Sequence, residues 1–169
     1  MQHWHLLMTK PREDERAELH LQNQDYEIFR PLLRHHVIKK GRQKAVTESL
    51  FPRYLFICLD DEFSDWSAIR STRGVAGLVR FNNQPAIVPD QLIHDIRCRT
   101  GDSMTLDTTA HNPFVYHQGD RVEVVGGCFK GLQAIVQTQK SEERVILLLN
   151  LLGNTQTLEF DLTEIKAIA

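Results

Sequence analysis

A chain of 169 residues with 41% apolar and 25% charged side chains has the composition of one medium or two small globular domains, and is too apolar to be disordered throughout. The formal net charge of −2 excludes a histone-like basic coat and confines any nucleic-acid contact to a local patch. That total hides an asymmetry, because residues 1–100 carry +2 and residues 101–169 carry −4.

The longest apolar run, Val145 to Leu152, has eight residues and is interrupted by Asn150, far short of the roughly 18 that a membrane span needs. Met1 to His5 lack a basic segment followed by an apolar one, so no export signal is expected. Cys58, Cys98 and Cys128 lack CxxC spacing, which argues against a disulfide framework or a zinc ribbon and fits a reducing cytoplasm.

In chain order, His3 to Met8 reads as a strand. Pro11 can occupy the first turn of a helix running to about Asn23, with Ala17 and Leu21 on one face and Arg16, His20, Asn23 and Gln24 on another. Tyr26 to Ile38 and Gln43 to Leu50 read as extended, with Lys40-Gly41 as the turn between them. Tyr54 to Leu59 has a buried-strand pattern. Residues 64–71 suggest a short helix, Gly77 to Phe81 a strand, and Pro89 to Arg97 a second helix. This is an α+β sandwich built on one sheet. Thr100 to Pro113 is small, polar and aperiodic and reads as a linker. Beyond it, glycine turns alternate with strand candidates at Arg121–Val124, Leu132–Thr138, Arg144–Leu149 and Thr157–Phe160, as in a small five-stranded barrel. Val145 to Leu152 is apolar almost throughout and leucine-rich, so periodicity does not separate a buried strand from a buried helix there.

Two features invite chemistry and carry little. His35 and His36 are adjacent, so on a strand they point to opposite faces, and metal binding is not expected. His94 and Cys98 lie one helical turn apart, which reads as packing. Nothing resembles a P-loop, a nucleophile elbow or a zinc signature, so neither enzymatic activity nor a cofactor is expected. Arg30 to Lys44 contains six Lys or Arg and no acid, suited either to DNA phosphates or to solvation alone.

Gly119 to Val136 resembles a KOW motif, and Leu158 to Leu162 with Ile165 resembles the closing strand of its barrel. Phe51-Pro-Arg-Tyr54 resembles the Phe-Pro-x-Tyr element of the NusG family of transcription elongation factors. Thr72-Arg-Gly-Val75, Val79-Arg-Phe81, Pro85 to Pro89 and Leu147 to Leu151 follow in the order found in that family's RfaH-type specialised antiterminators. The resemblance implies a domain at 1–100 of the NusG N-terminal type, a linker at 101–114 and a KOW domain at 115–169. The KOW domain would be either a barrel or a helical hairpin docked on the first domain.

It further implies a non-catalytic factor that binds the β′ clamp helices of RNA polymerase through Leu6, Met8, Phe51, Pro52, Tyr54, Phe56, Phe81 and Ile93, and a monomer is expected. Phe56 also reads as core, and Tyr54 suits core and interface equally. Met8 stands where the RfaH-type pattern has an aromatic. Single-stranded non-template DNA would be read by Lys10, Arg16, His20 and Gln24 with Thr72, Arg73 and Gly74. Asp65, Trp66 and Ser67 stand where that branch carries a threonine-rich triplet facing the polymerase β gate loop, which is the clearest departure. Glu48 and Arg144 match an interdomain ion pair, and Val136, Leu148 and Leu152 match its apolar surround. A released KOW barrel would bind a small-subunit ribosomal protein.

Overall fold

In the computed structural model the described residues are 1–107, 135 and 140–156. Its centre is a five-stranded antiparallel sheet formed by β1 (Gln2–Thr9), β2 (Glu27–Phe29), β5 (Tyr54–Asp60), β6 (Val75–Leu78) and β9 (Ile87–Val88). The order is β2-β5-β1-β6, and β9 pairs with the other end of β1. Gln2 pairs with Asp60 and Met8 with Tyr54, so the apolar centres of β1 and β5 lie side by side.

Alternation along these strands feeds two cores. Leu7, Leu55, Ile57 and Leu59 face α1 (Asp14–Gln22) and α2 (Trp66–Ser71), meeting Ala17, Leu21 and Ile69. Trp4, Leu6 and Phe56 face the other way, toward Leu92, Ile93 and Ile96 of α3 (Asp90–Thr100). A second sheet holds the hairpin of β3 (Leu32–Lys39) and β4 (Arg42–Ser49), with β10 (Thr105–Asp107) parallel to β3. Lys40 and Gly41 make its turn at φ 51° and 70°, the doubly left-handed conformation of tight hairpins. A small hairpin of β7 (Arg80–Phe81) and β8 (Gln84–Pro85) completes the layer.

The mixed α+β architecture is as the sequence implies, but the strands form three sheets rather than one, because the chain breaks at Arg30-Pro31 and sends β2 and β3 into different sheets. Three further differences stand out. The first helix starts at Asp14, and Pro11 lies in a turn before it, because Arg12 adopts φ 61° and interrupts the helical path. Residues 101–107, read as linker, form a 3-10 turn at Gly101–Ser103 and strand β10. Leu106 supplies the reason, since it is the apolar side chain of that strand and is buried in the core shared with α3.

The third difference is the largest. Arg144–Leu149, a strand candidate, lies inside helix α4 (Ser141–Gln156). Leucine favours helix, and a helix places Arg144, Leu148, Leu151 and Leu152 at i, i+4, i+7 and i+8, on one face. All four are buried, against the sheet face that α3 leaves open. Ile135, also helical, joins the same cluster. The strand candidates at 121–124 and 157–160, the rest of 132–138, the closing strand at 158–162 with Ile165, Val136 and residues 108–114 lie outside the described residues.

Candidate nucleic-acid and protein interfaces

Two surfaces carry the residues singled out by sequence. The first is polar and centres on α1. Gly74 has φ 87°, and a Cβ there would meet Ala17 N at 2.9 Å and Glu13 O at 3.0 Å. Only glycine lets the 72–74 loop lie this close to the helix backbone. Lys10 N–H donates to Gly74 O at 2.8 Å, and Gln24 Nε2 donates to Thr72 Oγ1 and to His20 O, each at 2.9 Å. Loop and helix are thereby joined at both ends. Lys10, Arg16, His20, Gln24, Thr72, Arg73 and Gly74 thus belong to one surface region, with the Lys10, Arg16, Gln24 and Arg73 side chains exposed. Arg16 pairs with Glu13 at 3.2 Å, an exposed pair contributing roughly 0–1 kcal/mol and easily exchanged for another anion.

Asp14 fixes this region to the sheet. Its carboxylate accepts from Thr9 Oγ1 at 2.7 Å, from Ser49 Oγ at 3.0 Å and from Arg53 N–H at 3.0 Å. The Phe51-Pro-Arg-Tyr54 turn is closed by Tyr54 N–H donating to Phe51 O at 2.9 Å, with Arg53 at φ 71°. Proline presets the first turn position, and the second needs a left-handed residue. Arginine tolerates it here because its N–H meets Asp14 and its Nε donates to Thr9 O at 3.3 Å.

The second surface is apolar and covered. Leu6, Phe51, Phe56 and Ile93 are buried in one cluster with Leu148, Leu151 and Leu152 of α4, and half-buried Tyr54 and Phe81 pack against it. Phe56 lies between Phe29 and Phe51, each with a centroid separation of 5.9 Å. Met8 and Pro52 are half-buried at its margin. Burying each leucine stabilises the docked helix by roughly 1.5–3 kcal/mol, so these contacts dominate its attachment.

At the rim, Arg144 is fully buried and hydrogen-bonded to both Glu48 and Leu50. Its Nη2 is 2.6 Å from Glu48 Oε1, and its Nε donates to Leu50 O at 2.7 Å. His35 Nε2 lies 3.3 Å from that same Glu48 oxygen without hydrogen-bond geometry. Sequence reading missed His35 and the Leu50 carbonyl. The Lys40-Gly41 turn held the signal for His35. It sets Leu33 opposite Glu48 and His35 opposite Val46, making His35 and Glu48 diagonal neighbours.

Asp65, Trp66 and Ser67 are engaged locally. Asp65 Oδ1 accepts from Ser67 N–H at 3.0 Å, Ser67 Oγ at 2.7 Å and Ala68 N–H at 3.1 Å, capping α2. The Ser67 hydroxyl first, then the two N–H groups, hold the Asp65 carboxyl below the usual carboxylate range. Trp66 is half-buried with its ring edge-on to His5 at 5.2 Å. Among the described residues, no helix is long and apolar enough to cross a membrane.

The family model described as "Transcription termination factor nusG" matches residues 2–97. The NusG transcription termination/antitermination protein of Lactococcus lactis is 28% identical, over 99% of this chain and 94% of its own. That of Thermus thermophilus is 26% identical over 96% of both chains, and that of Helicobacter pylori 27% over 78% and 73%. A solved structure described as "Domain interaction in Thermotoga maritima NusG" aligns with a TM-score of 0.42 and 20% identity, over 75% of this chain and 74% of that one. With the family model spanning more than half of its length, the chain belongs to the NusG family of transcription termination/antitermination factors.

Proposed function

We propose that this chain is an RfaH-type, sequence-specific elongation and antitermination factor whose polymerase-binding face is closed by its own C-terminal segment. The observation that carries the reading is the burial of Leu148, Leu151 and Leu152 against Leu6, Phe51, Phe56 and Ile93, side chains that the family resemblance assigns to polymerase. Aromatic and aliphatic anchors in a depression suit an apolar helical hairpin such as the β′ clamp helices. The same anchors serve α4 or polymerase, not both, so recruitment requires α4 to leave. The released segment 115–169 then forms the KOW barrel, which is open to a small-subunit ribosomal protein. The polar region from Lys10 to Gln24 and from Thr72 to Gly74 reads the exposed non-template strand. Trp66, at the start of α2, is the residue this reading assigns to the β gate loop.

The test uses full-length protein and paused elongation complexes that differ only in the non-template sequence exposed in the bubble. Recruitment and pause suppression on one sequence and not on its scrambled version is the expected result. Equal action on every template would establish instead a general NusG-type factor, the reading favoured by near-full-length similarity to the Lactococcus lactis and Thermus thermophilus proteins.

A further inference from the structure

The polar surface on α1 and the apolar surface of the sheet meet at one carboxylate. Asp14 opens α1, yet the helix begins without a side-chain cap, and Arg12 at φ 61° turns the chain just before it. The Asp14 side chain ties that first turn to the sheet. Its Oδ1 accepts from Thr9 Oγ1 at the end of β1. Its Oδ2 accepts from Ser49 Oγ at the end of β4 and from Arg53 N–H in the Phe51–Tyr54 turn. Arg30 adds a second brace, donating from Nη1 to Ser49 Oγ at 3.0 Å and from Nε to Glu18 Oε2 of α1 at 2.7 Å. We propose that Asp14 is a positioning residue that makes the DNA-reading and polymerase-binding surfaces one rigid unit, so that sequence discrimination on polymerase depends on it although it touches neither partner. The inference rests on the reading that both surfaces engage at once.

Each surface is coherent without Asp14. The Lys10–Gly74 and Gln24–Thr72 bonds join Lys10, the 72–74 loop and α1 to one another. Leu6, Phe51 and Phe56 are buried together in the apolar cluster. What Asp14 sets is the distance and angle between the two surfaces. Two contacts made by one rigid body act as a chelate. Polymerase binding then presents α1 to the exposed strand at high effective concentration, provided the span between the contacts is fixed. A looser joint lowers that gain. The loss is greatest where geometry is strictest, at base edges rather than at phosphates. Direct contact is a poor alternative for Asp14, because a carboxylate repels phosphates and its three donors all lie within the chain.

The experiment measures the affinity of the full-length chain for elongation complexes exposing a preferred or a scrambled non-template sequence, in wild type, Asp14→Ala, Asp14→Asn and Ser49→Ala. Closure by α4 enters both affinities alike and cancels in their ratio. Asp14→Ala should lower that ratio roughly threefold to tenfold, while its affinity for the preferred sequence as a free oligonucleotide changes less than about twofold. Ser49→Ala keeps the Asp14 charge and removes one of its donors together with the Arg30 brace. It should lower the ratio in the same direction, and it reports on the joint even if Asp14→Ala does not fold. Asparagine keeps an acceptor for Ser49 and Arg53 and donates to the Thr9 hydroxyl, so Asp14→Asn should stay near the wild-type ratio. A wild-type ratio in both alanine variants would overturn the role of Asp14. So would a ratio as low in Asp14→Asn as in Asp14→Ala, or a free-oligonucleotide affinity that falls as far as the ratio. A wild type that binds both complexes equally would remove strand reading itself, and this inference with it.

Discussion

Arg144 and Glu48, 96 residues apart in sequence, are joined by a 2.6 Å charge-assisted hydrogen bond, and the arginine has no solvent exposure while the carboxylate keeps about a third of its own. The asymmetry sets the expected cost of breaking the pair. A fully buried ion pair loses roughly 3–5 kcal/mol when one partner is removed. Here Glu48 can rehydrate, so Arg144→Ala should weaken docking of α4 by about 1–3 kcal/mol. Glu48→Ser should do at least as much, because it takes the carboxylate away from a guanidinium that stays fully buried. Exchange rates of the Ser141–Gln156 amides, with those of β1 and β5 as the unaffected reference, measure the loss. Equal protection in variant and wild type would show that leucine burial alone holds the helix.

Gly74→Ala tests how the loop and α1 are joined. The new methyl would lie about 3 Å from Ala17 N and Glu13 O, both backbone atoms, at a φ of 87° that alanine disfavours. Backbone does not yield as a side-chain tip does. We expect a loss of roughly 1–3 kcal/mol, read as a lower urea midpoint, with the Lys10 N–H to Gly74 O bond opening first. A variant of wild-type stability would mean that the loop has room to back away from the helix.

His5 gives the fold a pH dependence of its own. It is buried, its Nδ1 is 3.2 Å from Ala86 O, and its Nε2 has no partner. Burial is the largest influence and lowers its pKa below the ordinary histidine value of 6.5, against the raising effect of the Ala86 carbonyl. A depressed imidazole pKa means that the unfolded chain binds the proton more readily. Its contribution is thus complete above about 6.5 and is lost as the pH falls from there toward the folded-state value. Denaturant midpoints at about pH 7.5 and about pH 5.5 should differ in wild type and differ less in His5→Phe. The same difference in both proteins would place the proton elsewhere.

The sheet, its helices and the hairpin turn were legible in the sequence because local signals agree there. Tyr54 to Leu59 alternates strictly between two cores, and Lys40-Gly41 supplies the turn conformation. Strand β10 was not legible, since one leucine in a polar run gives no period and its pairing partner, β3, lies some seventy residues earlier. Helix α4 was ambiguous for a different reason. Val145 to Leu152 satisfies both periods, and what selects helix is the open sheet face with Glu48 at its rim, a surface made by residues far upstream. Asp65, Trp66 and Ser67 were singled out as a contact for another protein, and within the chain they meet each other, Tyr26, Ala68, Ser71 and His5. Capping by Asp65 was readable from its place before a short helix, but the tertiary contact with His5 was not.

The polar surface divides into groups that differ in what they can report about DNA. Lys10 and Arg73 are exposed, and neither makes a hydrogen bond or ion pair through its side chain among the described residues. Such side chains suit phosphates, which carry no sequence information. Lys10→Ala and Arg73→Ala should each weaken binding to single-stranded oligonucleotides by a similar factor whatever the sequence. Each should also flatten the salt dependence, removing roughly 0.7 from the slope of log affinity against log salt. Gln24 behaves differently, because its amide is held by Thr72 Oγ1 and His20 O and its remaining acceptor is presented in a fixed direction. Planar amides so held read base edges. Gln24→Ala should therefore leave the salt slope nearly unchanged and compress the difference between a preferred and a scrambled sequence by about 1–3 kcal/mol. Fluorescence anisotropy on two oligonucleotides at three salt concentrations separates the two behaviours. If Gln24→Ala instead lowers affinity equally for both sequences, the Gln24–Thr72 bond shapes the loop, and reading of the strand passes to His20 and Arg16.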